Sequence, residues 1–145
     1  MACGIQPPRW SDAKQLVENL QTSPLLTPGG CLASLYVSNQ QWDAPNIWPP
    51  LQCLTIEGLE NLEDAFPGCG AQHLAQEIAT RFLTTAYAGF QRNGCMFEKY
   101  SAESYGRPGD GGEYKTQTGF AWTNGAVLWL LSSPHRHRFK IESDQ

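Results

Sequence analysis

Over residues 71–92 the chain places Leu74, Ile78, Phe82 and Phe90 on four-residue steps or their multiples, with Ala75, Ala79, Leu83 and Ala86 beside them. An α-helix brings residues at that spacing onto one face, and a stripe this long has to be covered by other elements. A long central helix is therefore predicted, and the rest of the chain has to pack against it.

Turn signals divide that remainder. Pro28, Gly29 and Gly30 require a turn, because proline fixes φ and glycine accepts the positive φ that other residues resist. Pro45, Pro49 and Pro50 exclude regular helix from 45–50 and make it a loop. That loop feeds a helix over 50–63, with Pro50 at its first position and Leu51, Leu54, Leu59 and Leu62 as its apolar set. Pro67-Gly68 breaks this helix, and Asn93-Gly94 ends the central one. Upstream, Ser11 is the expected N-cap of a short amphipathic helix over 11–22 carrying Leu16, Val17 and Leu20. Downstream, 97–118 reads as loop or a short hairpin that includes GRPGDGG. A last helix over 124–132 is entered through WTNG and stops before Pro134. The expected class is all-α, with no internal repeat and no low-complexity tract.

Composition excludes several functions. A chain of 145 residues, 41% hydrophobic and 17% charged, suits one domain. Its net charge of −4 and pI near 5.3 repel polyanions, so nucleic acid is not an expected partner. The longest wholly apolar run, AVLWLL at 126–131, is far shorter than the roughly 18 residues a membrane span needs. Residues 1–14 show neither a charged start followed by an apolar run nor a small-residue cleavage site, so no secretory signal is predicted. Cys3, Cys31, Cys53, Cys69 and Cys95 form no C-x-x-C pair and read as buried residues or free thiols. His135 and His137 in HRHRFK lack a partner motif and read as a solvated basic tail, so no metal or cofactor is expected. GRPGDGG lacks the ending of a phosphate loop, and its Asp110 with Glu113 would repel phosphate.

Four segments gather aromatic, amide and carboxylate residues where helix cores do not require them: QQWDAPNIWPPLQ at 40–52, MFEKY, GDGGEY and GFAWTNG. That mixture suits a sugar, whose C–H faces stack on rings while its hydroxyls need convergent acceptors and donors. Trp42, Trp48, Phe120 and Trp122 are the expected platforms, and Asp43, Asn46, Glu113 and Asn124 the expected hydrogen-bonders. Taken singly, each tryptophan is equally a core anchor and each polar residue a helix cap; the grouping is the stronger signal.

These segments carry a family resemblance. QQWDAPNIWPPLQ resembles the tryptophan-aspartate signature of the trehalases (glycoside hydrolase family 37). MFEKY, GDGGEY (similar to the family's GGGEY) and GFAWTNG follow at trehalase-like spacing, and the upstream PGGCLASLYVSNQ is similar as well. The resemblance covers nearly the whole chain but only the C-terminal portion of a trehalase catalytic domain. It implies part of an (α/α)6 barrel in which the complete enzyme hydrolyses α,α-trehalose to two glucose molecules with inversion. An inverting glycosidase needs one carboxyl group to protonate the leaving oxygen and another to activate water across the ring.

By the resemblance, Glu98 of EKY is the base and Glu113 a substrate hydrogen-bonder, both approaching one cavity. The family's acid motif, an aspartate in a sequence like GWDFSSRW, does not occur here, and Asp43 is set aside as a substitute because the family places its acid elsewhere. Two departures stand out. Ile47 replaces a small residue and is expected to press on Trp48, and Ala121 replaces a glycine, which is costly if that backbone needs positive φ. Residues 1–145 thus read as a partial catalytic domain without its N-terminal part. The chain alone is expected to be inactive and to self-associate through apolar faces meant for absent neighbours. The alternative is a non-catalytic helical module that binds sugar weakly or associates with a full-length paralogue.

Overall fold

The computed structural model describes residues 8–113 and 115–132. Four helices dominate: α1 (Trp10–Gln21), α2 (Pro49–Ala65), α3 (Ala71–Asn93) and α4 (Ala121–Ser132). Between them lie two small antiparallel ladders. One pairs β1 (Leu26–Thr27) with β2 (Gly30–Cys31), and the other pairs β3 (Asn46–Ile47) with β4 (Tyr100–Ser101).

The central helix forms as its spacing predicts, and α2 packs along it across the short connection 66–70. Ile56 and Leu59 of α2 meet Leu74, Ile78 and Phe82 of α3, while Val17 of α1 and Val127 and Leu130 of α4 extend the same core. Gly94, in the left-handed region at φ 67°, caps α3 through its N–H to Phe90 O at 2.8 Å.

Several boundaries and faces differ from the sequence reading. Arg9, not Ser11, caps α1, because Asp12 in the first turn accepts the Arg9 backbone N–H at 3.1 Å and also its guanidinium. Pro49 rather than Pro50 opens α2, since Trp48 is the extended residue that precedes the helix. Leu54 is 64% exposed: the face that meets α3 runs through Gln52, Ile56 and Leu59, and a residue two positions from Gln52 points away from it. Phe90 is 48% exposed, because the last turns of α3 approach the β3–β4 layer through Gly89, where a Cβ would lie 2.9 Å from Tyr100 Cε1. Leu16 likewise faces out while Val17 is buried.

The N-terminus of α4 lies three residues ahead of the expected start. Asn124-Gly125 falls inside the helix, because the preceding residues are tied down: Trp122 Nε1 donates to Glu98 O at 2.8 Å and Thr123 Oγ1 to Phe97 O at 2.7 Å. Ala121 is therefore an ordinary helical residue. The positive φ of this segment sits at Gly119 (φ 65°), so the expected cost at Ala121 does not arise. Ile47 is fully buried against Gly29 and Gly30, where a Cβ on either glycine would meet its side chain, and its bulk is taken up there. The stretch 97–118 forms the expected short hairpin elements, β4 together with single bridges Phe97–Thr118 and Tyr100–Pro108. Cys31, Cys53, Cys69 and Cys95 are free thiols, while Cys3, His135 and His137 lie outside the described residues. No helix among the described residues is long and apolar enough to cross a membrane.

One buried polar side chain joins the first ladder to the helices. Gln52 accepts the Cys31 N–H at 2.7 Å and donates to Cys31 O at 2.7 Å, so its amide serves β2 as a neighbouring strand would. Replacing it by an apolar residue of similar size strands both Cys31 groups away from water. Gln52→Leu is expected to lower the unfolding free energy by about 2–4 kcal/mol, read as a lower urea midpoint at unchanged slope.

Candidate functional site

The β3–β4 ladder sets Asn46 opposite Ser101 and Ile47 opposite Tyr100, which draws the WDAPN loop against the EKY segment. With α4 docked on Phe97 and Glu98 by Trp122 and Thr123, three motifs distant in sequence share one corner of the fold. Their aromatic residues form a continuous series. Trp42 stacks on Trp48 with centroids 3.8 Å apart and planes at 13°, Trp48 meets Trp122 edge-on at 5.6 Å, and Trp122 meets Phe120 at 4.3 Å. The series is graded in exposure: Trp48 is buried, Phe120 and Trp122 half-buried, and Trp42 exposed at 47%. Trp48 is fixed further by its indole N–H, which donates to Gln41 O at 3.0 Å.

Glu98 is 2% exposed and lies at the foot of this series. Its backbone N–H donates to Gln117 O at 2.9 Å, its Oε2 accepts the Gln117 N–H at 3.2 Å, and its carbonyl holds Trp122. A carboxylate so held has a restricted rotamer and a defined direction. Beside it, Lys99 is fully buried, with Nζ 3.0 Å from Gly111 O and 5.4 Å from the centroid of the Trp48 ring. Burial pulls the Lys99 ammonium below the usual lysine range, while Glu98 and Asp110 act in the opposite direction.

Asn46, buried at 2%, joins the two loops of the site. Its Nδ2 donates to Gln41 O at 3.1 Å and to Asp110 O at 2.7 Å, and its Oδ1 accepts the Asp110 N–H at 3.0 Å. The loop 109–112 is held residue by residue: Gly109 N–H to Lys99 O at 2.9 Å, Asp110 by Asn46, Gly111 O by the Lys99 ammonium, and Gly112 N–H to Asn39 O at 2.9 Å. Glu113 follows directly and is exposed. Asp43 is half-buried and accepts a hydrogen bond from Ser38 Oγ, and Asn124 is exposed on the first turn of α4.

The four predicted aromatic platforms are thus brought into one array, and Asp43, Asn46 and Glu98 lie on the segments that build it. Asn46 and Trp48 are buried and supply framework beneath the exposed groups. Sequence reasoning missed Lys99 and Gln41. Lys99 lies inside the EKY segment, next to Glu98, and that adjacency is its one sequence signal. Gln41 carries no sequence signal: its backbone carbonyl accepts from both Asn46 and Trp48, and its Oε1 is buried without a hydrogen-bond partner among the described residues. No group of three or more His, Cys, Asp or Glu among the described residues could hold a metal ion. Two thiols are held away from the reactive thiolate form: burial, with Glu57 nearby, pushes Cys53 up to about 11, and burial raises Cys31.

Comparison with known proteins finds similarity to trehalases. The family model described as Trehalase matches residues 1–134. A probable trehalase of Oryza sativa subsp. japonica is 47% identical over 118 residues, 81% of this chain and 20% of that protein. A trehalase of Pimpla hypochondriaca is 46% identical over 105 residues, 72% of this chain and 17% of that protein. A periplasmic trehalase of Salmonella newport (strain SL254) is 45% identical over 107 residues, 74% of this chain and 18% of that protein. The chain spans about a fifth of the length of these relatives.

Two glycines of the site segments separate crowding from conformational freedom. A Cβ on Gly109 would collide with Asn46 Oδ1 and lie 3.0 Å from Lys99 Cγ, and both side chains are pinned, whereas a Cβ on Gly125 meets nothing within 4 Å. Gly109→Ala is expected to destabilise by about 1–3 kcal/mol. Gly125→Ala, inside α4, is expected to stabilise by roughly 0.5–1 kcal/mol. Thermal unfolding of the two variants checks the opposite signs.

Proposed function

The chain belongs to the trehalase family, and from that premise we propose that it is the C-terminal part of an (α/α)6 catalytic domain whose complete form hydrolyses α,α-trehalose to two glucose molecules with inversion. The observation that carries this reading is the seating of Glu98. A buried carboxylate, oriented by Gln117 and tied through its own carbonyl to Trp122, stands at the foot of an aromatic array suited to the C–H faces of a pyranose.

In an inverting hydrolysis the base takes a proton from water as the water oxygen attacks the anomeric carbon, while an acid on the far side protonates the departing glycosidic oxygen. Glu98 is the base. The acid comes from a part of the domain outside this segment. Trp42, Phe120 and Trp122 stack the sugar, and Trp48, buried behind Trp42, holds that platform in place. Asp43 and Glu113 accept from its hydroxyls, and Asn46 keeps their loops in register. The trehalase names of the relatives weigh against a non-catalytic module.

The same reading accounts for unpartnered apolar surface. Leu128, Trp129 and Leu131 of α4 and Tyr87 and Phe90 of α3 are exposed, although α4 is apolar along most of its length. These faces suit the remainder of a larger helical domain, and without it they favour self-association.

In a complete trehalase chain carrying this segment, Glu98→Gln is expected to lower kcat by about 100-fold or more with little change in KM. A kcat within a few fold of the parent overturns the assignment. Glu113→Gln is expected to raise KM and lower kcat together, since hydroxyl contacts that tighten in the transition state affect both.

The 145-residue chain by itself is expected to release no glucose from trehalose and to elute as an oligomer in size-exclusion chromatography. Glucose release that disappears in Glu98→Gln overturns the first expectation. A monodisperse monomer with a sharp thermal transition overturns the second.

A further inference from the structure

We propose that Lys99 is a positioning residue for the sugar site, its buried ammonium tying the loop that carries Glu113 to the stacked tryptophans so that both present one geometry to the substrate. The proposal rests on the reading of Glu113 as a sugar contact.

Lys99 touches the loop on both sides of Asp110. Its backbone carbonyl accepts the Gly109 N–H at 2.9 Å, and its Nζ donates to Gly111 O at 3.0 Å. The same Nζ lies 5.4 Å from the Trp48 ring centroid, close enough for the ring quadrupole to attract the charge. Trp48 in turn backs Trp42 face to face. A single side chain therefore spans the two halves of the site, the polar loop and the aromatic platform.

An apolar residue would fill this fully buried position at lower desolvation cost. What it cannot do is hold a carbonyl and a ring face at once. Glu113 is exposed and directly follows the held loop, so its direction depends on where Gly111 and Gly112 are fixed. Burial acts against the charged ammonium, and Glu98 and Asp110 act in its favour.

The test is a double-variant cycle in a complete trehalase chain carrying this segment, with KM and kcat measured separately. Lys99→Met is expected to raise KM about tenfold and to lower kcat with it, in the same proportion as Glu113→Gln, because a misplaced Glu113 loses a contact that tightens in the transition state. Combined with Glu113→Gln, it is expected to add little beyond the larger single effect, since both act through one contact. Lys99→Arg, which keeps a donor and a charge, is expected to hold KM within about threefold of the parent.

Effects of Lys99→Met and Glu113→Gln that multiply, or a loss that falls on kcat alone, overturn the positioning role and leave Glu113 as a sugar contact. An unchanged KM in Glu113→Gln alone overturns the underlying reading, and the proposal falls with it. For a Lys99→Met chain that does not fold, amide hydrogen exchange on Lys99→Gln takes its place. Faster exchange confined to 109–113 is expected there, and uniform acceleration or none overturns the proposal.

Discussion

The buried amide of Asn46 bridges two loops 64 positions apart in sequence, and the candidate site depends on that bridge. An amide offers two donors and an acceptor from one rigid plane, so it can satisfy a carbonyl and an N–H on the same peptide neighbourhood while reaching a third group. Asn46 uses all of this capacity, on Gln41 O and on both backbone groups of Asp110. Gln41 O accepts from Trp48 as well, so the aromatic platform and the GDGG loop are referenced to one carbonyl. Moving either loop would expose an unpaired buried group, and that cost holds the geometry.

The same device recurs at three points where a strand or loop meets a helix. Gln52 on α2 holds Cys31, Thr85 on α3 donates to Gly29 O at 3.1 Å, and Thr123 on α4 donates to Phe97 O. All three are fully buried. Apolar contact between helices supplies most of the burial but little direction, whereas these side chains fix which loop peptide meets which helical turn. A site built from loops needs that directional control, because its groups lie on short irregular segments that hydrophobic packing alone would leave free to slide.

The outer faces of α3 and α4 complete this picture. Tyr87, Phe90, Leu128, Trp129 and Leu131 remain exposed around a core that is closed on its inner side, and the chain spans about a fifth of the length of its relatives. A helix apolar on more than one side is a helix meant to be covered on more than one side. On the proposed reading, further chain covers these outer faces, while the segment's own contacts hold the face toward the site.

Helix existence was legible in the sequence because periodicity and proline or glycine boundaries are local properties: α3 runs as its four-residue steps require, and α2 begins at a proline as its loop demands. The membership of the aromatic array was legible too, because clusters of tryptophan, amide and carboxylate outside the helical pattern are local as well. What the sequence could not determine was orientation. Leu54 and Phe90 fit an apolar stripe in sequence yet face out, since the packing face is chosen by the neighbour and not by the helix. The start of α4 moved to Ala121 because hydrogen bonds to Phe97 and Glu98, made across the fold, outweighed the turn preference of Asn124-Gly125. Lys99, ordinary in a list of residues, became a link between loop and tryptophan only when tertiary folding buried it between them. Local chemistry decides which elements form and which residue types gather in the loops; long-range packing, where each buried polar group must find a partner, decides where they point.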